Sequence, residues 1–217
     1  MTNSRNQILH NIRQAVKRTG EIDESKINVA TEFAKLTSAK QAHVQPHLHK
    51  ELLPAFIQEA QTSAAQVHSL SEETAISAWL VQRAKQLNQQ PQLTFAPEFS
   101  NLKVDPPIKT SEHILAANSW GLCRGIIGIA ETGTVISNSH NCASGLLFLV
   151  ERLIVVVNQS DIVAYQEDAW KILRHRFNEQ LPRSINLITG PSRTADVEQT
   201  LQIGAHGPKW VDYLIVG

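Results

Sequence analysis

The segment GPSRTADVEQTLQIGAHGP opens with Gly190 and Pro191. It then crowds Ser192, Arg193, Thr194 and Asp196 into one turn and sets His206 between two glycines, Gly204 and Gly207. Ser192 or Thr194 can cap a helix by accepting from its free N–H groups, which is ordinary structure. When the helix follows a strand, those same N–H groups and the positive end of the helix dipole also make an anion site. Asp196 and Glu198 stand in the first turn and partly neutralise it. A ligand carrying hydroxyls, or a carboxylate that Arg193 grips bidentately, therefore fits the turn better than a bare phosphate. His206 has the side chain of a donor or general base near neutral pH, although a single histidine is usually a satisfied hydrogen-bonder. A ten-residue helix between the two turns would part their ends by roughly 15 Å, which sets His206 away from Asp196.

A second segment, AETGT, places Glu131, Thr132 and Thr134 around Gly133 at the end of an apolar run. Glu131 there could serve as a carboxylate base or nucleophile, with the threonines as hydroxyl donors. A plain turn explains the residues equally well, with Gly133 supplying the unusual backbone angle. The candidates for catalysis are thus Glu131, Asp196 and His206. Those for ligand binding are Thr132, Gly133, Thr134, Gly190, Pro191, Ser192, Arg193 and Thr194. In HVQPHLH, His43 and His47 have the i, i+4 spacing of a helical metal pair. Pro46 disfavours helix in the residue before it and no acidic residue is near before Glu51, so a solvated loop holding His43, His47 and His49, and no metal site, is expected.

The elements that must position these residues follow from apolar periodicity. Residues 4–18 place Ile8, Ile12 and Ala15/Val16 at helical spacing, and Leu52, Leu53, Phe56, Ile57 and Ala60 mark a second helix beginning near Pro54. Residues 1–62 are expected as a helical arm with a linker, and residues 63–217 as an α/β domain. In the latter, AAQVHSL reads as a strand, SEETAISAWLVQRAKQLN as a helix with Ser71 and Thr74 as cap candidates, and PQLTFAP as a short strand. GIIGIA and GTVISN, separated by ETG, read as a hairpin or bend. RLIVVVN is a β-branched run of the kind buried on both faces, followed by helix DIVAYQEDAWKILRHRF, strand SINLITG, helix TADVEQTLQ and strand WVDYLIVG. Right-handed crossovers would make these strands parallel in one sheet, with ligand loops outside their carboxyl ends. Trp79, Trp120, Trp170 and Trp210 are expected to pack helices and strands onto the core, and Trp120 could also wall a pocket.

Composition removes several function classes. Twenty Lys and Arg offset twenty Asp and Glu, so no net field favours nucleic acid or an anionic membrane. The most apolar stretch, GLLFLVERLIVVV, is interrupted by Glu151 and Arg152, which argues against a membrane span; with no apolar leader, a cytoplasmic protein is expected. The two cysteines, Cys123 and Cys142, form no C-x-x-C pair. By itself the chain cannot ligate a four-cysteine zinc or iron–sulfur site, and both thiols are expected to be buried and structural.

The combination of IAETGTV, LIVVV, INLITGPSRTADVEQTLQIGAHGP and the terminal YLIVG resembles the LUD-domain family, and the arm SRNQILHNIRQAVKR resembles its lactate-utilisation members. The likeness covers nearly the whole chain. It implies a three-layer α/β/α fold with a mainly parallel sheet, similar to the sugar-phosphate isomerase and CoA-transferase superfamily. It also implies a part in oxidising L-lactate to pyruvate as one of three proteins encoded together, whose two companions carry the iron–sulfur cysteines. No cofactor is then expected on this chain, iron–sulfur clusters belong to its partner proteins, a small-molecule ligand is left unidentified, and a homo-oligomer is compatible. The alternative is an independent enzyme of the CoA-transferase or sugar-phosphate isomerase type using Glu131. Many relatives resemble LPETHIVVV before the central strand, whereas this chain has Val150 and Leu153 where proline and histidine would fall.

Overall fold

Unbroken apolar runs along the central strands build the architecture. In the computed structural model, which describes Gln7, His10, Asn11 and residues 51–114, 118–194, 202–204 and 206–217, strand β7 (Arg152–Asn158) is buried on both faces. Leu153, Val155 and Val157 enter one core, and Ile154 and Val156 enter another. Such two-sided burial is what a β-branched run in a parallel sheet requires. Residues 1–45 form a unit of their own, in which Gln7, His10 and Asn11 are helical; the rest of the expected arm helix, and His43, His47 and His49, lie outside the described residues.

Residues 46–217 form the α/β unit. Its elements are α1 (Leu52–Thr62), β1 (Gln66–Leu70), α2 (Ala75–Gln86), β2 (Gln92–Phe95), β3 (Lys109–Thr110), β4 (Ser119–Arg124), β5 (Ile127–Ile129) and β6 (Thr134–Asn138). After these come α3 (Ser144–Phe148), β7, β8 (Ile162–Val163), α4 (Gln166–Arg176), β9 (Ile185–Ile188), β10 (Arg193–Thr194), β11 (Gln202–Ile203) and β12 (Trp210–Val216). Six strands form a wholly parallel sheet in the order β1-β12-β7-β4-β2-β3. Helix α2 covers one face through Ile76, Leu80 and Ala84, an i, i+4, i+8 stripe, and α1 and α3 cover the other through Phe56, Ala60, Leu146 and Leu147. The fold is therefore three-layered α/β with a mainly parallel central sheet.

Three placements differ from the periodicity. Helix α1 belongs to the α/β unit rather than to an arm ending at residue 62. Phe56 is fully buried and its ring lies 5.8 Å from that of Tyr213 on β12, so its apolar stripe completes this core. Strand β9 does not join the parallel sheet. It pairs antiparallel with β6 in a four-stranded mixed sheet ordered β8-β5-β6-β9, where Leu187 is left 42% exposed, as suits a half-solvated edge strand. The helix expected from Asp161 starts only at Gln166, because Ile162 and Val163 extend the mixed sheet beside β5. Its acidic Glu167 and Asp168 then stand at the amino end and Arg174, His175 and Arg176 at the carboxyl end, in keeping with the helix dipole. Ser71 and Thr74 make no capping bond to α2, in which Thr74 occupies the N-cap position. Trp120 is buried in the α2-side core, whereas Trp210 is 47% exposed.

Candidate functional site

Two glycine turns meet the end of α1. The hairpin β5–β6 turns at Gly133 with φ +61°, and β9 ends in a turn where Gly190 has φ +73°. A Cβ on Gly133 would lie 2.0 Å from the Ala60 backbone nitrogen, and one on Gly190 2.0 Å from the Ser63 carbonyl oxygen. Both turns therefore hold the carboxyl end of α1 by backbone approach that only glycine permits. The Arg193 guanidinium donates to the Ser63 oxygen at 3.5 Å and so faces the same helix end.

The hydroxyls of the two turns are joined. Thr132 Oγ1 and Thr134 Oγ1 lie 2.7 Å apart, and Thr134 Oγ1 lies 2.7 Å from Thr189 Oγ1. The register behind this is Val135 opposite Ile188, which puts Thr134 beside Thr189 at the mouth of the mixed sheet. Thr189 was not among the sequence candidates; its position directly before Gly190 at a strand end was the available signal. Glu131 turns elsewhere. Its Oε2 accepts the Gln166 N–H at 3.2 Å, so the carboxylate caps α4, where a negative charge meets the positive end of the dipole.

His206 lies beside the Ser192 turn. Strands β10 and β11 form an antiparallel ribbon, Arg193 opposite Ile203 and Thr194 opposite Gln202, which brings the two ends of the intervening segment together. A separation by the length of a ten-residue helix is overturned at these positions, because Thr194 and Gln202 are extended and paired. The Ser192 carbonyl accepts from Gly204 N–H at 2.9 Å, and Ser192 N–H donates to the Pro208 carbonyl at 2.9 Å. Gly207 approaches so closely that a Cβ there would sit 3.1 Å from Ser192 Cβ. Asp196 and Glu198, with residues 195–201, lie outside the described residues.

Gly190, Ser192, His206, Gly207 and Thr189 share one cavity of about 230 Å³ with an apolar wall that includes Leu147 and Leu153. Leu147 and Leu153 make that wall hydrocarbon. A larger, shallower groove of about 450 Å³ adjoins it through Phe148, His206 and Gly207, and continues to Glu151 and Lys209. Lys209 Nζ and Glu151 Oε1 pair across it at 3.4 Å. The cavity is smaller than the 300–1,000 Å³ typical of drug-sized sites, which suits a ligand of few carbons with one polar end. Among the described residues no group of three or more His, Cys, Asp or Glu side chains is placed to hold a metal.

Tyr213 supports the cavity from below. Its hydroxyl donates to the Ile188 carbonyl at 2.6 Å and accepts the Gly190 N–H at 3.3 Å. Burial pushes the phenol above its ordinary range, partly offset by the Gly190 N–H. Because the folded form holds the proton more tightly, this contribution is complete below the ordinary tyrosine value of about 10 and is lost as pH rises beyond it. Alkaline unfolding should thus steepen by about 1.4 kcal/mol per pH unit above pH 10. Tyr213→Phe should remove that slope and cost about 1–3 kcal/mol at pH 7 by stranding Gly190 N–H. Denaturant titrations of both proteins at pH 7 and in the alkaline range would check each part.

The comparisons with known proteins agree with this fold. The chain is 34% identical over 97 residues to lactate utilization protein C of Anoxybacillus flavithermus, a match covering 44% of this chain and 43% of that protein. Lactate utilization protein C of Shouchella clausii is 37% identical over 98 residues, covering 44% and 43%. That of Bacillus subtilis is 35% identical over 99 residues, covering 44% and 41%. In each case the matched stretch spans less than half the length of the relative. A crystal structure of a DUF162 family protein from Deinococcus radiodurans superposes with a TM-score of 0.53 at 16% identity, over 79% of this chain and 100% of that one. The LUD domain model matches residues 30–216, both glycine turns and the His206 loop included, and the chain belongs to the LUD domain family.

Proposed function

We propose that this protein serves L-lactate utilisation as the cluster-free member of a three-protein cytoplasmic system that oxidises L-lactate to pyruvate. The observation that carries the reading is the run of relatives named lactate utilization protein C at 34–37% identity. Two cysteines are too few for a four-cysteine cluster on this chain, so electron transfer falls to iron–sulfur partner proteins. No helix among the described residues is long and apolar enough to cross a membrane.

The cavity at Ser192 and His206 is the proposed ligand site. A small carboxylic acid would place its polar end against the Ser192 hydroxyl and the His206 ring and its carbon chain against Leu147 and Leu153. Thr132, Thr134 and Thr189 would act behind this by fixing the turn at Gly190. Glu131 is assigned to holding α4. An enzyme of the CoA-transferase or sugar-phosphate isomerase type would need that carboxylate released from the Gln166 N–H.

The test is genetic. In the organism that encodes the protein, deleting its gene should abolish growth on L-lactate as carbon source, leave growth on pyruvate unchanged, and be reversed by the wild-type gene. A deletion strain that grows on L-lactate like its parent would overturn the proposal.

A further inference from the structure

A carboxylate that leaves water for the cavity at Ser192 and His206 needs a cation close to it, or its desolvation goes uncompensated. The groove of about 450 Å³ shares Phe148, His206 and Gly207 with that cavity, so the two spaces meet along the His206 loop. Among the described residues lining either space, Lys209 is the one lysine or arginine.

Local structure lays the Lys209 stem across that loop. A Cβ on Gly204 would stand 2.2 Å from Lys209 Cγ and 3.3 Å from its Cδ, so the lysine stem fills the place a side chain at 204 would take. Gly204 has φ +80°, and its N–H donates to the Ser192 carbonyl at 2.9 Å, which ties the backbone beneath the stem to the polar wall of the cavity. The root of the lysine is fixed as well. Its backbone N–H donates to the Glu151 carbonyl at 2.9 Å, one residue before β12 begins. Its head is not. Nζ lies 3.4 Å from Glu151 Oε1, with the side chains 52% and 29% exposed, and a pair so solvated is weak. Glu151 has a second anchor, because its Oε2 accepts the Asn118 N–H at 2.9 Å. Lys209 can therefore leave Glu151 without unsettling it.

From this arrangement we propose that Lys209 is the counter-ion of the ligand: its ammonium group turns from Glu151 to the carboxylate of a small acid bound at Ser192 and His206, and so selects the anion over a neutral compound of the same shape. The inference rests on the ligand reading given above and adds the residue that sets its charge selectivity. Ser192 and His206 supply hydrogen bonds that a neutral ligand could also use, whereas Lys209 supplies a charge-assisted one that only the anion gains in full. Glu151 competes with the ligand for Lys209, and removing its charge favours the ligand.

The experiment titrates the full folded chain by calorimetry, at constant ionic strength, with sodium L-lactate and with L-lactamide, its uncharged counterpart. The wild type should bind L-lactate more tightly than L-lactamide by on the order of tenfold. Lys209→Met keeps the stem along Gly204 and should bring the two affinities together. Lys209→Arg should retain the preference for the anion. Glu151→Gln, which can still accept the Asn118 N–H, should tighten L-lactate binding several-fold and leave L-lactamide unchanged. A Lys209→Met chain that prefers L-lactate by the wild-type margin, or a wild type that binds both compounds equally, would overturn the role of Lys209 while leaving the ligand site in place. A wild type that takes up neither compound would overturn both, and growth of the deletion strain on L-lactate would overturn the lactate reading alone. Glu151→Gln decides the matter even if Lys209→Met fails to fold, since an unchanged ratio of the two affinities there would equally overturn the role of Lys209.

Discussion

Asp212→Asn is expected to cost the fold about 3–5 kcal/mol, the loss typical of removing one partner from a buried ion pair. Asp212 is fully buried on β12. Its Oδ2 accepts from Arg152, and its Oδ1 from Arg83 at 3.2 Å and from His68 Nε2 at 3.1 Å when that ring nitrogen carries its proton. Arg152 is itself 3% exposed and its guanidinium lies between two indoles, 5.5 Å from the Trp120 ring centre and 5.4 Å from that of Trp210. Asparagine keeps the volume and withdraws the charge, leaving two guanidinium groups without a counter-ion where water cannot replace it. The urea midpoint should fall at unchanged slope, since the unfolded surface is the same. A second replacement, Arg152→Met in the Asp212→Asn background, should recover part of the loss by removing the stranded charge. A shift in midpoint worth less than about 1 kcal/mol for Asp212→Asn would place the pair among solvated, weak ones.

Gly133→Ala is expected to destabilise by about 2–5 kcal/mol, combining a left-handed backbone that a Cβ disfavours with overpacking against α1. The clash is with backbone atoms, Ala60 N at 2.0 Å and Glu59 C at 2.5 Å, so no side chain can swing aside. The helix must lift, taking Phe56 from its contact with Tyr213. Hydrogen exchange in Leu52–Thr62 should accelerate more than elsewhere, because the change acts at that helix first. Gly145→Ala supplies the contrast. A Cβ there meets nothing nearer than 3.7 Å, and α3 gains helix propensity, so stability should hold or rise by up to about 1 kcal/mol. Equal losses at both glycines would contradict the view that Gly133 is kept for the approach of α1.

Much of this fold was legible in the chain because its central strands announce themselves. RLIVVVN is apolar at successive positions, and only a strand buried on both faces accommodates that pattern. The hairpin at Gly133 was equally plain from its turn residues. SINLIT does not reveal its sheet, because a short apolar run carries no information about its partner, and the antiparallel pairing with β6 is a tertiary choice. The clustering of Thr134 with Thr189, and of Ser192 with the His206 loop, depends on that pairing and on the β10–β11 ribbon. Spacing along the chain could name these residues but not bring them together. Glu131 illustrates the converse. Its type invites catalysis, while its cap on α4 depends on a helix start that periodicity placed five residues too early. The Asp212 network is not legible in the sequence, because Arg152 and Asp212 each sit within an apolar run and show their pairing only when β7 and β12 lie side by side.

The cavity shared by Ser192 and His206 is the proposed point of action in lactate utilisation. The direct measurement is growth on L-lactate of a strain lacking the gene and complemented by His206→Ala or Leu187→Trp, both substitutions of exposed residues lining that cavity. With melting temperatures and protein levels equal to wild type, each variant should restore growth several-fold more slowly than the wild-type gene, with no difference on pyruvate. Complementation by both at the wild-type rate would contradict it.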